Sequence, residues 1–251
     1  MIAVVDVGNS RVKWGLHPGD RPVAGRFLRV GECATADLTT ALADWCAREQ
    51  PQAIEWCSVA GTERVSTFVD EARRRGIVVR RRTAAAAGGG VTSTYREPAA
   101  LGADRFAALV GARARERGAV LVVDAGTAMT VDALAADGTF LGGMIVPGYR
   151  LMLESLARGT AELPLAGGGY AELARDTDAA IVSGALHALA GAVERGLRAL
   201  REAGGADAPA LLLTGGDADR LAPCLVAAAP RRAPQLVLEG LVVLAIAETQ
   251  P

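Results

Sequence analysis

The run Asp6-Val7-Gly8-Asn9-Ser10, placed directly after an apolar stretch, has the residue types of a phosphate and metal site. The Asp6 carboxylate can hold hydrated Mg²⁺, Gly8 lets the backbone come close, and the amides and hydroxyl of Asn9-Ser10 can meet phosphate oxygens. The same residues also suit a hairpin turn in which Asp6 caps backbone groups. A second copy favours the first reading. Val122-Val123-Asp124-Ala125-Gly126-Thr127-Ala128 echoes Val4 to Ser10 at an offset of 118 residues. Paired Asp-Gly turns in a duplicated fold predict a cleft lined with carboxylates and free amides.

Further candidates cluster around these turns. Lys13 is the sole lysine among 27 basic residues and would point a compact cation at the same phosphates if its side chain alternates toward the cleft; otherwise it is an exposed strand charge. Thr127 has the hydroxyl and amide for a matching contact, and Asp124 can instead bind a cation. Asp104-Arg105 opens an amphipathic run, so Asp104 is either a partner of the helix dipole or a base for a hydroxyl proton, with Arg105 gripping an anionic substrate. Leu213-Thr214-Gly215-Gly216-Asp217-Ala218 lies between a strand and a helix, where it reads equally as a nucleotide contact or as an N-cap by Asp217. Neither GxxxxGK[ST] nor a GxGxxG run after a strand occurs.

The elements that position these residues follow from periodicity. Strands over 2–5, 12–16 and 26–30 predict an opening antiparallel meander. A helix over 35–49, a strand over 53–59, a helix over 62–75 and a strand over 77–80 follow. Gly88 to Gly90 predict a flexible loop. After Asp124 the order repeats, with strands over 129–134 and from 139, then helices near 150–158 and 178–203, a strand over 210–213, a short helix near 219–226 and a closing helix near 238–249. The expectation is a duplicated α/β protein divided into 1–116 and 117–251.

Composition narrows the class. The chain has 251 residues, 51% of them apolar, and 27 basic against 28 acidic side chains, which disfavours disorder and a basic nucleic-acid binder. Its apolar runs fall far short of the roughly 18 residues of a membrane span. The first 16 residues, broken by Asp6, Asn9, Arg11 and Lys13, lack the pattern of a secretory signal, which predicts a cytoplasmic protein. Cys33, Cys46, Cys57 and Cys224 have no metal-ligand spacing and read as buried free thiols. Two arginine runs, 73–75 and 80–82, are the only support for a regulator acting through nucleic acid, and read first as solvated surface.

Together these segments resemble the type III pantothenate kinases of the acetate and sugar kinase, Hsp70 and actin superfamily. The resemblance rests on Asp6-Val7-Gly8-Asn9-Ser10 with Lys13, Tyr95-x-x-Pro98-x-x-Leu101-Gly102-x-Asp104-Arg105, Asp124-Ala125-Gly126-Thr127-Ala128-x-Thr130, Gly142-Gly143-x-Ile145-x-Pro147-Gly148 and Thr177-x-x-Ala180-Ile181-x-x-Gly184. It implies duplicated RNase H-like, actin-like ATPase domains with an interdomain active-site cleft, and ATP-dependent phosphorylation of pantothenate. It further implies that Asp6, Val7, Gly8, Asn9, Ser10, Arg11, Val12, Lys13 and Thr127 bind ATP. Tyr95, Gly102, Ala103, Asp104, Arg105 and Thr177 would contact pantothenate, with Asp104 the base. Mg²⁺ would sit near Asp6 through water, and Asp124 would take a monovalent cation, K⁺ or NH₄⁺. Asp176, before Thr177, departs from the small or amide residue common in the family. A homodimer through the second half is expected both from the resemblance and from Ile181, Val182, Leu186, Leu189, Val193 and Leu197, which place apolar residues on more than one helix face. No membrane or nucleic-acid partner is expected.

Overall fold

The computed structural model describes residues 1–59, 63–204, 208–226 and 229–248. Along the chain run β1 (Ile2–Val7), β2 (Arg11–His17), β3 (Arg29–Ala34), α1 (Leu38–Glu49), β4 (Ala53–Ser58), α2 (Glu63–Arg74), β5 (Val78–Arg81), β6 (Ala87–Gly88), β7 (Val91–Ser93) and α3 (Ala103–Arg115). Then come β8 (Val120–Ala125), β9 (Ala128–Leu134), β10 (Thr139–Pro147), α4 (Tyr149–Gly159), α5 (Thr177–Gly204), β11 (Ala210–Thr214), α6 (Ala218–Leu221), β12 (Arg231–Arg232) and α7 (Leu236–Ala247).

Two compact units result, one from Met1–Arg117 with Gln235–Pro251, the other from Gly118–Pro234. The first contains a sheet of order β3-β2-β1-β4-β5, in which β1, β2 and β3 are antiparallel neighbours and β4 and β5 run parallel to β1. Within the second, β10-β9-β8-β11-β12 repeats that order and those senses. The duplication seen in the sequence is therefore a duplication of topology.

Period-two alternation divides the work of β1 and β2. Ala3, Val5, Val7, Val12, Trp14 and Leu16 point into one core under α1 and α2, with Leu42, Trp45 and Phe68. Asp6, Lys13 and, on β4, Cys57 belong to the other face, because Asp6 pairs with Lys13 on one side and with Cys57 on the other.

The chain passes from the first unit to the second at Arg117 and Gly118, and its last helix belongs to the first unit. By chain order α7 follows the fifth strand of the second half, as α3 follows that of the first; its packing is nevertheless on α3, with further contacts to β1, β2 and β4. Two glycines permit the close crossing. A Cβ on Gly240 would lie 1.8 Å from the Ala107 carbonyl oxygen, and one on Gly111 would lie 2.3 Å from that of Leu236. α7 is apolar almost all round, and nine of its residues are buried. Buried Glu239 is answered by Arg115 of α3, whose Nε and guanidinium nitrogen donate at 2.5 and 2.6 Å, and by the Gly25 amide at 2.8 Å.

Three local expectations change. The third strand is displaced from 26–30 to Arg29–Ala34, because Phe27 packs over Gly15, where a Cβ would lie 2.6 Å from the ring. Gly89 and Gly90 form a hairpin turn between β6 and β7, not a flexible loop: both have positive φ, and a Cβ on Gly89 would meet Val110 at 2.4 Å. In α5 the apolar residues cited for a dimer, Ile181, Val182, Leu186, Leu189, Val193 and Leu197, are all buried within the chain, so they give no surplus face. Thr62 and Thr249, at the ends of two expected helices, lie outside the described residues.

Candidate active site

The first Asp-Gly turn is closed by the Gly8 amide donating to the Arg11 carbonyl at 2.9 Å. It is held from the side by Thr35, whose hydroxyl donates to the Gly8 carbonyl at 2.9 Å and whose amide donates to that of Ser10 at 3.1 Å. Asn9 and Ser10 are left exposed. Asp6 and Lys13 are cross-strand partners, both half-buried. Val7 and Val12 are fully buried in the core, so only their backbone groups can serve a ligand. Arg11 reaches Glu32 at the surface.

Beside Asp6 lies a feature that the sequence motifs did not mark. Cys57 is fully buried, and its Sγ lies 3.5 Å from Asp6 Oδ1 with the thiol donating. Burial, then the charges of Asp6 and Asp104, push this thiol well above its usual range and keep it protonated. Asp104 thus belongs to the same neighbourhood, brought there by the start of α3.

The Gly102-x-Asp104-Arg105 motif has a local explanation. A Cβ on Gly102 would stand 2.6 Å from Asp104 Oδ1, so the glycine makes room for the carboxylate to fold back over the helix start. There the Arg105 amide donates to it at 2.7 Å. Burial raises the Asp104 carboxyl above its ordinary value, against the opposing pull of the Arg105 amide and charge. The Arg105 guanidinium, itself buried, donates to the Tyr95 hydroxyl at 2.9 Å and lies 5.7 Å from the centre of its ring. Tyr95, Gly102, Asp104 and Arg105 therefore form one cluster. It pairs a carboxylate whose burial favours taking up a proton with a cation suited to an anionic group.

In the second unit Asp124 lies opposite Thr130 and beside Thr214 in register. Its turn is a packing centre. Gly148 lies so close that a Cβ would be 2.1 Å from the Gly126 carbonyl oxygen, and its amide donates to that of Thr127 at 3.0 Å. Gly215, with φ +92°, approaches from the other side, where a Cβ would stand 2.5 Å from Asp124 Oδ1. The Asp217 amide completes the contact by donating to the Ala125 carbonyl at 2.9 Å. The Thr214 to Asp217 loop thus joins the Asp124 turn, while Asp217 makes no side-chain cap bond to α6.

Thr127 is exposed at the tip of that turn, whereas Thr177 belongs to a different element as the first residue of α5. Asp176 caps this helix, its carboxylate accepting from the Ala179 amide at 2.8 Å. That bond gives the departing residue a structural role. The two arginine runs are substantially paired within the first unit: Arg74 and Arg75 with Glu71, Arg80 and Arg82 with buried Glu55, and Arg81 over the Trp56 ring. Cys46 is buried like Cys57, while Cys33 and Cys224 are half-buried, and all four thiols are free.

Comparison with known proteins shows the family of the chain. A family model described as type III pantothenate kinase matches residues 2–199. A type III pantothenate kinase of Dechloromonas aromatica is 43% identical over 98% of this chain and 99% of its own length. One of Aromatoleum aromaticum is 42% identical over 98% of both chains. Among solved structures, a 2-dehydro-3-deoxygalactonokinase from Sinorhizobium meliloti superposes with a TM-score of 0.60 at 20% identity over 99% of both chains. At that identity the likeness shows a shared fold alone.

Proposed function

The chain belongs to the type III pantothenate kinase family, and we propose that it transfers the γ-phosphoryl group of ATP to the primary hydroxyl of pantothenate. The product is 4′-phosphopantothenate, and the step opens coenzyme A biosynthesis. The observation that carries this reading is the cluster in the first unit, where Asp104, raised by burial, stands beside Arg105 and Tyr95 and shares the neighbourhood of Cys57 with Asp6.

In this reading Arg105 and Tyr95 orient the pantothenate carboxylate, with Gly102, Ala103 and Thr177 as further contacts. Asp104 accepts the hydroxyl proton as that oxygen attacks phosphorus. The backbone of residues 7–12 and the Lys13 ammonium hold the ATP phosphates, and Thr127 adds a hydroxyl. Among the described residues no group of three or more His, Cys, Asp or Glu side chains converges as a metal cage. Mg²⁺ bound through one carboxylate, water and substrate phosphates needs none, so Asp6 fits this role. When bound, Mg²⁺ offsets the phosphate charge. Asp124, with Thr130 and Thr214 as strand neighbours, is assigned to a monovalent cation, K⁺ or NH₄⁺.

The enzyme is read as a cytoplasmic homodimer. Among the described residues no helix is long and apolar enough to cross a membrane. Exposed Ile145, Leu165, Leu173 and Val226 in the second unit offer apolar surface for a second copy.

The test is ADP release coupled to a spectrophotometric signal, with pantothenate, a panel of sugars, or no acceptor. Release that requires pantothenate is the expected result. Release with a sugar in its place would transfer the reading to another kinase of this fold.

A further inference from the structure

We propose that Cys57 is a positioning residue for phosphoryl transfer, its thiol holding the Asp6 carboxylate in the orientation that serves Mg²⁺ and the ATP phosphates. The proposal rests on the assignment of Asp6 made above. Its basis is geometric. β4 runs parallel to β1 with Cys57 in register with Asp6, so the two side chains rise from the same face as neighbours. Sγ lies 3.5 Å from Oδ1, and no part of Cys57 reaches solvent.

A carboxylate turns easily about its terminal bond, and a donor fixed on one oxygen removes that freedom. The donor must be short here, because position 57 is fully buried and in register with Asp6, which leaves no room for a long side chain. A thiol meets this requirement and can donate to an anion. A serine hydroxyl would meet it too. Alanine would leave Asp6 without this donor.

The test compares Cys57→Ala, Cys57→Ser, Asp6→Asn and the Asp6→Asn/Cys57→Ala double variant. The readouts are calorimetric binding of Mg²⁺ with a non-hydrolysable ATP analogue, KM for MgATP, kcat and melting temperature. Cys57→Ala should weaken analogue binding about threefold to tenfold and raise KM for MgATP in proportion, the range of an ordinary hydrogen bond, as befits a weak thiol donor. Cys57→Ser should bind within about twofold of wild type even where it melts lower, since a purely structural role would follow stability instead. In the Asp6→Asn background the alanine change should add little. Cys57→Val, which also lacks a donor and leaves no cavity, replaces Cys57→Ala if the latter does not fold.

Wild-type binding by the donorless variants, or a serine variant no better than alanine, would overturn the proposal. If Asp6→Asn itself binds the analogue normally, the assignment of Asp6 fails first. If Asp6→Asn loses binding while Cys57→Ala retains it, only the role of Cys57 fails.

Discussion

Lys13 lies directly across the antiparallel pair from Asp6, so the only lysine of the chain and the first carboxylate of its motif share one face of the sheet. Neighbours at this spacing can bind one polyanion jointly, with Lys13 meeting phosphate oxygens and Asp6 meeting hydrated metal. Lys13→Ala should lower kcat/KM for ATP about 100-fold with little change in melting temperature. Lys13→Arg should recover only part of that loss, because a planar fork does not replace a compact ammonium. Steady-state kinetics at saturating pantothenate checks both.

Asp104→Asn separates a base from a structural carboxylate. The amide keeps an oxygen for the Arg105 amide but cannot take a proton, so kcat should fall roughly 10²–10⁴-fold. Stability should move differently. Burial raises the folded-state pKa of Asp104, so the folded protein binds its proton more tightly than the unfolded chain does, and ionisation costs stability as pH rises through the raised value. Asp104→Asn should therefore melt no lower than wild type at neutral pH, and the acidic limb of wild-type kcat/KM should lie above the ordinary carboxylate range. A variant with normal turnover would remove Asp104 from the mechanism.

Asp124 carries the monovalent-cation assignment. Activity in K⁺ or NH₄⁺ should exceed that in Na⁺ at constant ionic strength, and Asp124→Asn should abolish the difference while leaving Mg²⁺ dependence in place. Equal rates of the wild type in all three salts would assign Asp124 another role.

Gly240→Ala tests the crossing of α3 and α7. With the Ala107 oxygen 1.8 Å from the new Cβ, the helices must separate, at an expected cost of about 1–3 kcal/mol in denaturant unfolding. An unchanged midpoint would mean that the crossing is looser than the backbone geometry requires.

The parts of the molecule that were legible in the sequence are those governed by local rules. Alternation around Asp6 and Lys13, the repeat at Asp124 and the turns that surround them depend on neighbours a few residues away, whereas the N-cap read at Asp217 does not form. The displacement of β3 arose from Phe27, an apolar residue in a strand-like pattern that instead packs over Gly15. Cys57 carried no motif, since its significance comes from register with a strand some fifty residues distant. Glycine roles at 102, 148 and 215 were equally hidden, because each depends on what a missing Cβ would strike. The allegiance of α7 could not be read from chain order, which assigns it to the second repeat, while Gly111, Gly240 and the Arg115 to Glu239 pair assign it to the first unit.

That allegiance also fixes an order of events during synthesis. The second unit is an insertion, complete once residue 234 has left the ribosome, whereas the first unit waits for residues 235–248 before the apolar face of α3 is covered. The half of the protein made first is thus the half finished last. Until α7 arrives, the helix that carries Asp104 lacks its main packing partner, and the base acquires its setting only once residues 235–248 can pack on α3.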